Sequence, residues 1–145
     1  MDRPESPYDG FIMDHLRDAR NFRALPAANR ESTRTNPLCG DRVTVHLHLA
    51  NGRVEEAAFQ CECCGISMAS ASMMTDWASG RTVTEARRFV QEFIGRLSGH
   101  PGAASGKDSQ MERALLAIVQ KFPSRVGCAI LPWATLESVL AKEEK

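Results

Sequence analysis

The 145-residue chain is 43% hydrophobic and 25% charged, ordinary proportions for one globular domain whose core needs no disulfide staples. Eighteen basic and eighteen acidic side chains cancel, which removes any global electrostatic reason to bind nucleic acid or a membrane surface. The opening Met1-Asp2-Arg3-Pro4-Glu5 has no apolar signal core and no stretch approaches a membrane span, so a reducing, cytoplasmic location is expected. There the five cysteines read as thiols or metal ligands rather than as a disulfide framework.

Tyr8, Phe11, Ile12 and Leu16 recur at helical spacing and predict an amphipathic helix over residues 8–18. Arg17, Arg20, Arg23, Arg30 and Arg34 cluster early, as a solvated face or as a docking patch for an acidic partner surface. Residues 24–38 carry prolines, asparagines and threonines without an apolar period and are expected to be a loop leading into Cys39. Val43, Val45, Leu47 and Leu49 then alternate with Thr44, His46 and His48, the pattern of a strand with one buried face. Asn51-Gly52 signals a hairpin, with Arg53 to Gln60 as the antiparallel return.

From Cys64 onward the period becomes helical through Ile66, Ala69, Met73 and Trp77 until Gly80, and small residues let this helix pack closely on the sheet. Thr82 and Glu85 form a capping box ahead of Val83, Ala86, Phe89, Val90, Phe93, Ile94 and Leu97. Residues 98–107 are expected to be a flexible loop, as are the ends at 1–7 and 141–145. A further helix carries Met111, Ala114, Leu115, Ile118 and Val119. A short one after Pro123 should contain Cys128, and Pro132 should open the last helix. The sum is a single α+β domain over 1–145, a small antiparallel β-sheet packed against a helical half.

Cys39, Asp41, Cys64 and Cys128 are far apart in sequence, yet three thiols and a carboxylate can enclose a zinc ion or an iron–sulfur cluster once folding gathers them. Gly40 allows a turn that brings Asp41 round to Cys39. Cys64 and Cys128 both fall near predicted helix starts, where unpaired N–H groups favour a thiolate, and Arg125 could add positive charge beside them. Cys61 and Cys63 point to one side of a strand-like stretch and read either as small packing residues or as accessory redox or ligand groups. His46 and His48 lie on the polar face of their strand. No nucleotide-binding loop, hydrolase triad or paired-carboxylate signature is present.

Asn36-Pro37-Leu38-Cys39-Gly40-Asp41, Phe59 through Cys64, the run Ile66 to Met74 and Lys121 to Cys128 together resemble the U-type iron–sulfur cluster assembly family, as does Ile12-Met13-Asp14-His15 with Arg20-Asn21. The resemblance covers residues 8 to 140 and lies nearest the SufU branch, given the long insertion between Cys64 and Cys128 and the Phe-Pro-x-Arg-x-x-Cys run. Gly127 stands where the IscU branch carries a histidine, and Cys61 and Cys63 stand where the family carries glycines. The resemblance implies an IscU/SufU-like fold and a zinc ion on Cys39, Asp41, Cys64 and Cys128. It also implies transfer of persulfide sulfur from a PLP-dependent cysteine desulfurase to Cys39. The alternative it implies is a scaffold that builds a [2Fe–2S] or [4Fe–4S] cluster on Cys39, Cys64 and Cys128 and passes it to recipient proteins; the departures at Cys61 and Cys63 would either add sulfur ligands to that cluster or form a competing disulfide under oxidation. A purely structural zinc domain is the third reading.

Overall fold

The computed structural model describes residues 10–17, 19–36, 40–99 and 110–143. Helix α1 spans Gly10–Arg17, and strands β1 (Arg30–Asn36), β2 (Asp41–Ala50) and β3 (Arg53–Glu62) form one antiparallel sheet in that order. Helices α2 (Gly65–Ala78), α3 (Val83–Leu97), α4 (Gln110–Lys121) and α5 (Val126–Glu143) follow, with a 3₁₀ turn at Pro123–Arg125 before α5. This is the expected α+β architecture.

The alternation along β2 sets the layers. Val43, Val45, Leu47 and Leu49 are buried, and a slip of one residue would turn all four to the other face. Asn51 and Gly52 both adopt positive φ, as a tight two-residue hairpin requires, and Val45 then lies opposite Phe59. A bulge between His48 and Leu49 shifts the register near the turn. The inner face of the sheet is covered by α2 and α5, with α3 and α4 completing the core. Trp133, Phe93, Phe89 and Trp77 meet there, the Phe93 and Trp133 rings edge to face at 5.0 Å. Thr82 caps α3 as read from the sequence: its hydroxyl accepts from the Glu85 amide at 3.1 Å, and Glu85 accepts from the Thr82 amide at 3.3 Å.

Two expected boundaries are corrected. Residues 30–36, read as loop, are strand β1, paired from Arg30↔Leu47 to Asn36↔Asp41. Arg-Glu-Ser-Thr-Arg-Thr-Asn has no apolar member because β1 is an edge strand held by its backbone ladder, and charged side chains suit an edge. Pro132 does not open a helix but lies inside α5. At the C-terminus α5 continues to Glu143, so 141–143 are helical, while 1–7 and most of the expected loop at 98–107 lie outside the described residues.

The serines of α2 join this helix to its neighbours. Ser72 Oγ lies 2.6 Å from His15 Nδ1 and accepts the Arg20 amide at 2.8 Å, tying the chain around α1 to α2. Burial, and then Arg20, push the His15 imidazole below its usual range, against the opposing pull of Asp76 and Asp14. Ser70 Oγ donates to the Ala129 carbonyl of α5 at 2.7 Å and accepts from Trp133 Nε1 at 3.0 Å. The early arginines are largely engaged: Arg20 pairs with Asp14 at 2.7 Å, Arg23 with Glu56 at 2.8 Å, and Arg34 reaches Ser138 at 3.1 Å. Among the described residues no single helix is long and apolar enough to cross a membrane.

Candidate metal centre

Three of the singled-out side chains converge from three elements. Asp41 is the first residue of β2, Cys64 is the N-cap of α2, and Cys128 lies in the first turn of α5. Gly40, at φ 78° and with its amide on the Asn36 carbonyl at 2.8 Å, makes the turn that presents Asp41. One carboxylate oxygen of Asp41 and the sulfurs of Cys64 and Cys128 all lie within 4.8 Å of one another. A tetrahedral zinc site with Zn–S near 2.3 Å sets its ligand atoms about 3.8 Å apart, so a small contraction closes the group on an ion. Two thiols and a carboxylate are donors that zinc accepts, and the fourth corner falls to a nearby thiol or to an exchangeable ligand. Cys39, the expected fourth donor, lies outside the described residues.

Cys64 and Cys128 both sit at helix N-termini, where unpaired amides stabilise negative charge. The negative charge of Cys64, and then a hydrogen bond to Cys128, hold the exposed Arg125 guanidinium above its usual range, which puts this side chain beside both sulfurs. The group opens on a cavity of about 520 Å³ lined by Asn36, Asp41, Cys64, Ser124, Arg125, Val126, Gly127 and Cys128. A Cβ on Gly127 would stand 2.9 Å from Asn36 Nδ2, so the asparagine occupies the room that a larger residue at 127 would claim.

Ser67 was not anticipated as a member of the site. Its hydroxyl lies 2.9 Å from Asp41 Oδ2 and 2.9 Å from the Cys128 carbonyl, with the Cys64 sulfur 3.8 Å away. One hydroxyl proton can serve the carboxylate or the carbonyl only in turn. The carbonyl needs it because Pro132, four residues on, has no N–H to close the α-helical bond. The sequence does contain the signal, a serine three residues after Cys64 and a proline four after Cys128, but only the fold makes them meet.

This coupling is testable by chemical denaturation. Ser67→Ala is expected to cost about 1–3 kcal/mol by stripping the buried carbonyl of its donor. In a Pro132→Ala background the restored amide takes that carbonyl, and the cost of Ser67→Ala should fall by at least about 0.5 kcal/mol. Strictly additive costs would show that the two positions do not share the bond.

His46 and His48 do not join the metal group. His46 is buried against Gln60 Oε1 at 3.0 Å and Glu31 at 3.3 Å. Cys61 and Cys63 are bonded to each other, where a disulfide had been the weaker expectation. The two lie one residue apart at the end of β3, near enough to bridge, and as a disulfide neither offers a thiolate to the metal group. Closing so short a loop restricts the unfolded chain by less than about 2 kcal/mol.

The NifU-like N-terminal domain model matches residues 7–129. The chain belongs to that family. Within it, the chain is 39% identical over 137 residues to the zinc-dependent sulfurtransferase SufU of Bacillus subtilis, covering 94% of this chain and 91% of that protein. It is 35% identical to the iron–sulfur cluster assembly scaffold protein IscU of Streptococcus pyogenes, covering 93% and 83% of the two chains. The crystal structure of FiSufU, a SUF-system scaffold protein of Fervidobacterium islandicum AW-1, superposes with a TM-score of 0.78 at 27% identity, over 92% of this chain and 96% of that one. The family fold and the SufU-like character read from the motifs are thus found in both sequence and structure.

Proposed function

We propose that this family member works in iron–sulfur cluster assembly as a zinc-dependent sulfur acceptor and carrier, receiving persulfide sulfur from a PLP-dependent cysteine desulfurase in the cytoplasm. The observation that carries the reading is the convergence of Asp41, Cys64 and Cys128 beneath an open cavity, with Arg125 at the sulfurs. The 39% identity to a protein named as a zinc-dependent sulfurtransferase agrees with it. Cys39, Asp41, Cys64 and Cys128 would hold the ion. When bound, zinc supplies a standing positive charge that keeps its cysteines deprotonated at neutral pH.

The side chains then have separate roles. Asp41 would hold the ion as a harder and more exchangeable donor than a thiolate. Ser67 orients that carboxylate by hydrogen bonding, and Arg125 offsets the negative charge of a thiolate that leaves the group. The Cys39 thiolate attacks the outer sulfur of the desulfurase persulfide. A sulfur–sulfur bond forms on Cys39 while the bond to the desulfurase cysteine breaks and returns that cysteine as a thiolate. A cavity of about 520 Å³ leaves room for an incoming persulfide side chain.

A second reading, a scaffold for a labile [2Fe–2S] or [4Fe–4S] cluster handed to recipient proteins, is supported by the 35% identity to a protein named as an IscU scaffold. Metal and acid-labile sulfide analysis of protein purified without oxygen separates the two. About one zinc per chain without sulfide is expected; iron and sulfide in equal amounts would establish the scaffold instead. With zinc in place, Cys39→Ser is expected to accept no labelled sulfur from the desulfurase. Acceptance at the normal rate would remove Cys39 from the mechanism.

A further inference from the structure

The Cys61–Cys63 disulfide is left over from the metal group, yet it is placed beside it. Cys63 is one peptide unit from Cys64, and Cys61 is the penultimate residue of β3, opposite Val43. Both sulfur-bearing residues are half-buried rather than sealed in the core. Paired directly with Val43, Cys61 turns its side chain to the inner face of the sheet. A bridge that closes so small a loop serves poorly as a staple. A half-exposed dithiol next in the chain to a candidate sulfur-handling centre is suited instead to exchange chemistry.

We propose that Cys61 and Cys63 are a redox-active pair that reduces the persulfide carried by this centre and releases its sulfur as sulfide. The proposal rests on the sulfur-acceptor reading. In the reduced form, one thiolate of the pair takes the outer sulfur of the persulfide, forming a new sulfur–sulfur bond and returning the original cysteine as a thiol. The second thiolate then attacks the inner sulfur of this transferred persulfide. The Cys61–Cys63 bond forms, and the outer sulfur leaves as hydrosulfide. One sulfane sulfur gains two electrons, the two thiols lose them, and the two thiol protons end on the regenerated thiol and on hydrogen sulfide. The Cys61–Cys63 disulfide is the form that this step would leave. A further turnover requires a dithiol reductant, small or protein-borne.

The test uses the full, zinc-loaded chain, reduced with a dithiol that is then removed without oxygen. It is mixed with desulfurase already charged with persulfide and freed of cysteine. Sulfide release, sulfur retained on the chain by intact mass, and the alkylation of Cys61 and Cys63 are followed together. The wild type should release one sulfide per chain as Cys61 and Cys63 become closed to alkylation, and then stop until dithiol is added. Cys61→Ser and Cys63→Ser should gain the sulfur but release it at least about tenfold more slowly, because the attack is no longer intramolecular. Equal release by the variants, or wild-type release with Cys61 and Cys63 still open to alkylation, overturns the proposal and leaves the acceptor reading standing. If no chain gains sulfur, the acceptor reading falls and this step with it.

Discussion

Cys128→Ser is expected to lose zinc at equimolar concentrations, with affinity down by at least about a thousandfold, or about 4 kcal/mol. The sulfur it removes is one of the three donors held within 4.8 Å, and a serine hydroxyl is neither ionised at neutral pH nor soft enough to replace it. Because bound metal stabilises only the folded chain, the loss should also lower the melting temperature by about 10 °C relative to the zinc-saturated wild type. The control is the wild type stripped by a chelator. If the metal accounts for the effect, the stripped wild type and Cys128→Ser melt together, since the exchange is nearly isosteric at a buried site. A variant that keeps a full complement of zinc would remove Cys128 from the ligand set. One that melts far below the stripped wild type would show Cys128 to matter chiefly through packing.

Arg96→Ala is expected to destabilise the fold by about 3–5 kcal/mol, without changing zinc affinity. Arg96 Nη1 meets Glu112 Oε2 at 2.6 Å, with side chains only 12% and 7% exposed, and its guanidinium lies over the Phe93 ring. Removing the arginine leaves a buried carboxylate with its principal cation gone, at the point where α3 and α4 are joined. The double variant Arg96→Met with Glu112→Leu should recover most of the loss, because two apolar side chains leave no charge to desolvate. Denaturant titration of both proteins decides it: a single-variant cost below about 1 kcal/mol would mean that water already reaches the pair.

What could be read from the chain and what could not divide along a physical line. The β2 alternation, the Asn51-Gly52 turn and the Thr82 capping box are local, and each depends on neighbours within a few residues. The grouping of Asp41, Cys64 and Cys128 was legible for a related reason: each carries a local cue, a glycine turn or a helix start, that places it at an element end. β1 was missed because a polar edge strand draws its pairing from the β2 backbone and leaves no apolar period. Pro132 was misplaced because its penalty inside a helix is offset by a hydroxyl from a helix far away in sequence. For the same reason Ser67 looked like one more small residue in a run of them. The Cys61–Cys63 pairing depends on a redox state, about which residue order is silent.

Pro132 also limits how this centre can be borrowed. A designer who grafted Asp41, Cys64, Ser67 and Cys128 onto a regular helical scaffold would hand the Cys128 carbonyl an ordinary amide donor. The hydroxyl at 67 would then be free to turn fully toward the carboxylate. The transplanted site would hold the same donor atoms with a different balance between them, its carboxylate bonded to a hydroxyl that in this protein is shared with a carbonyl. A faithful graft therefore carries the proline and the serine along with the ligands.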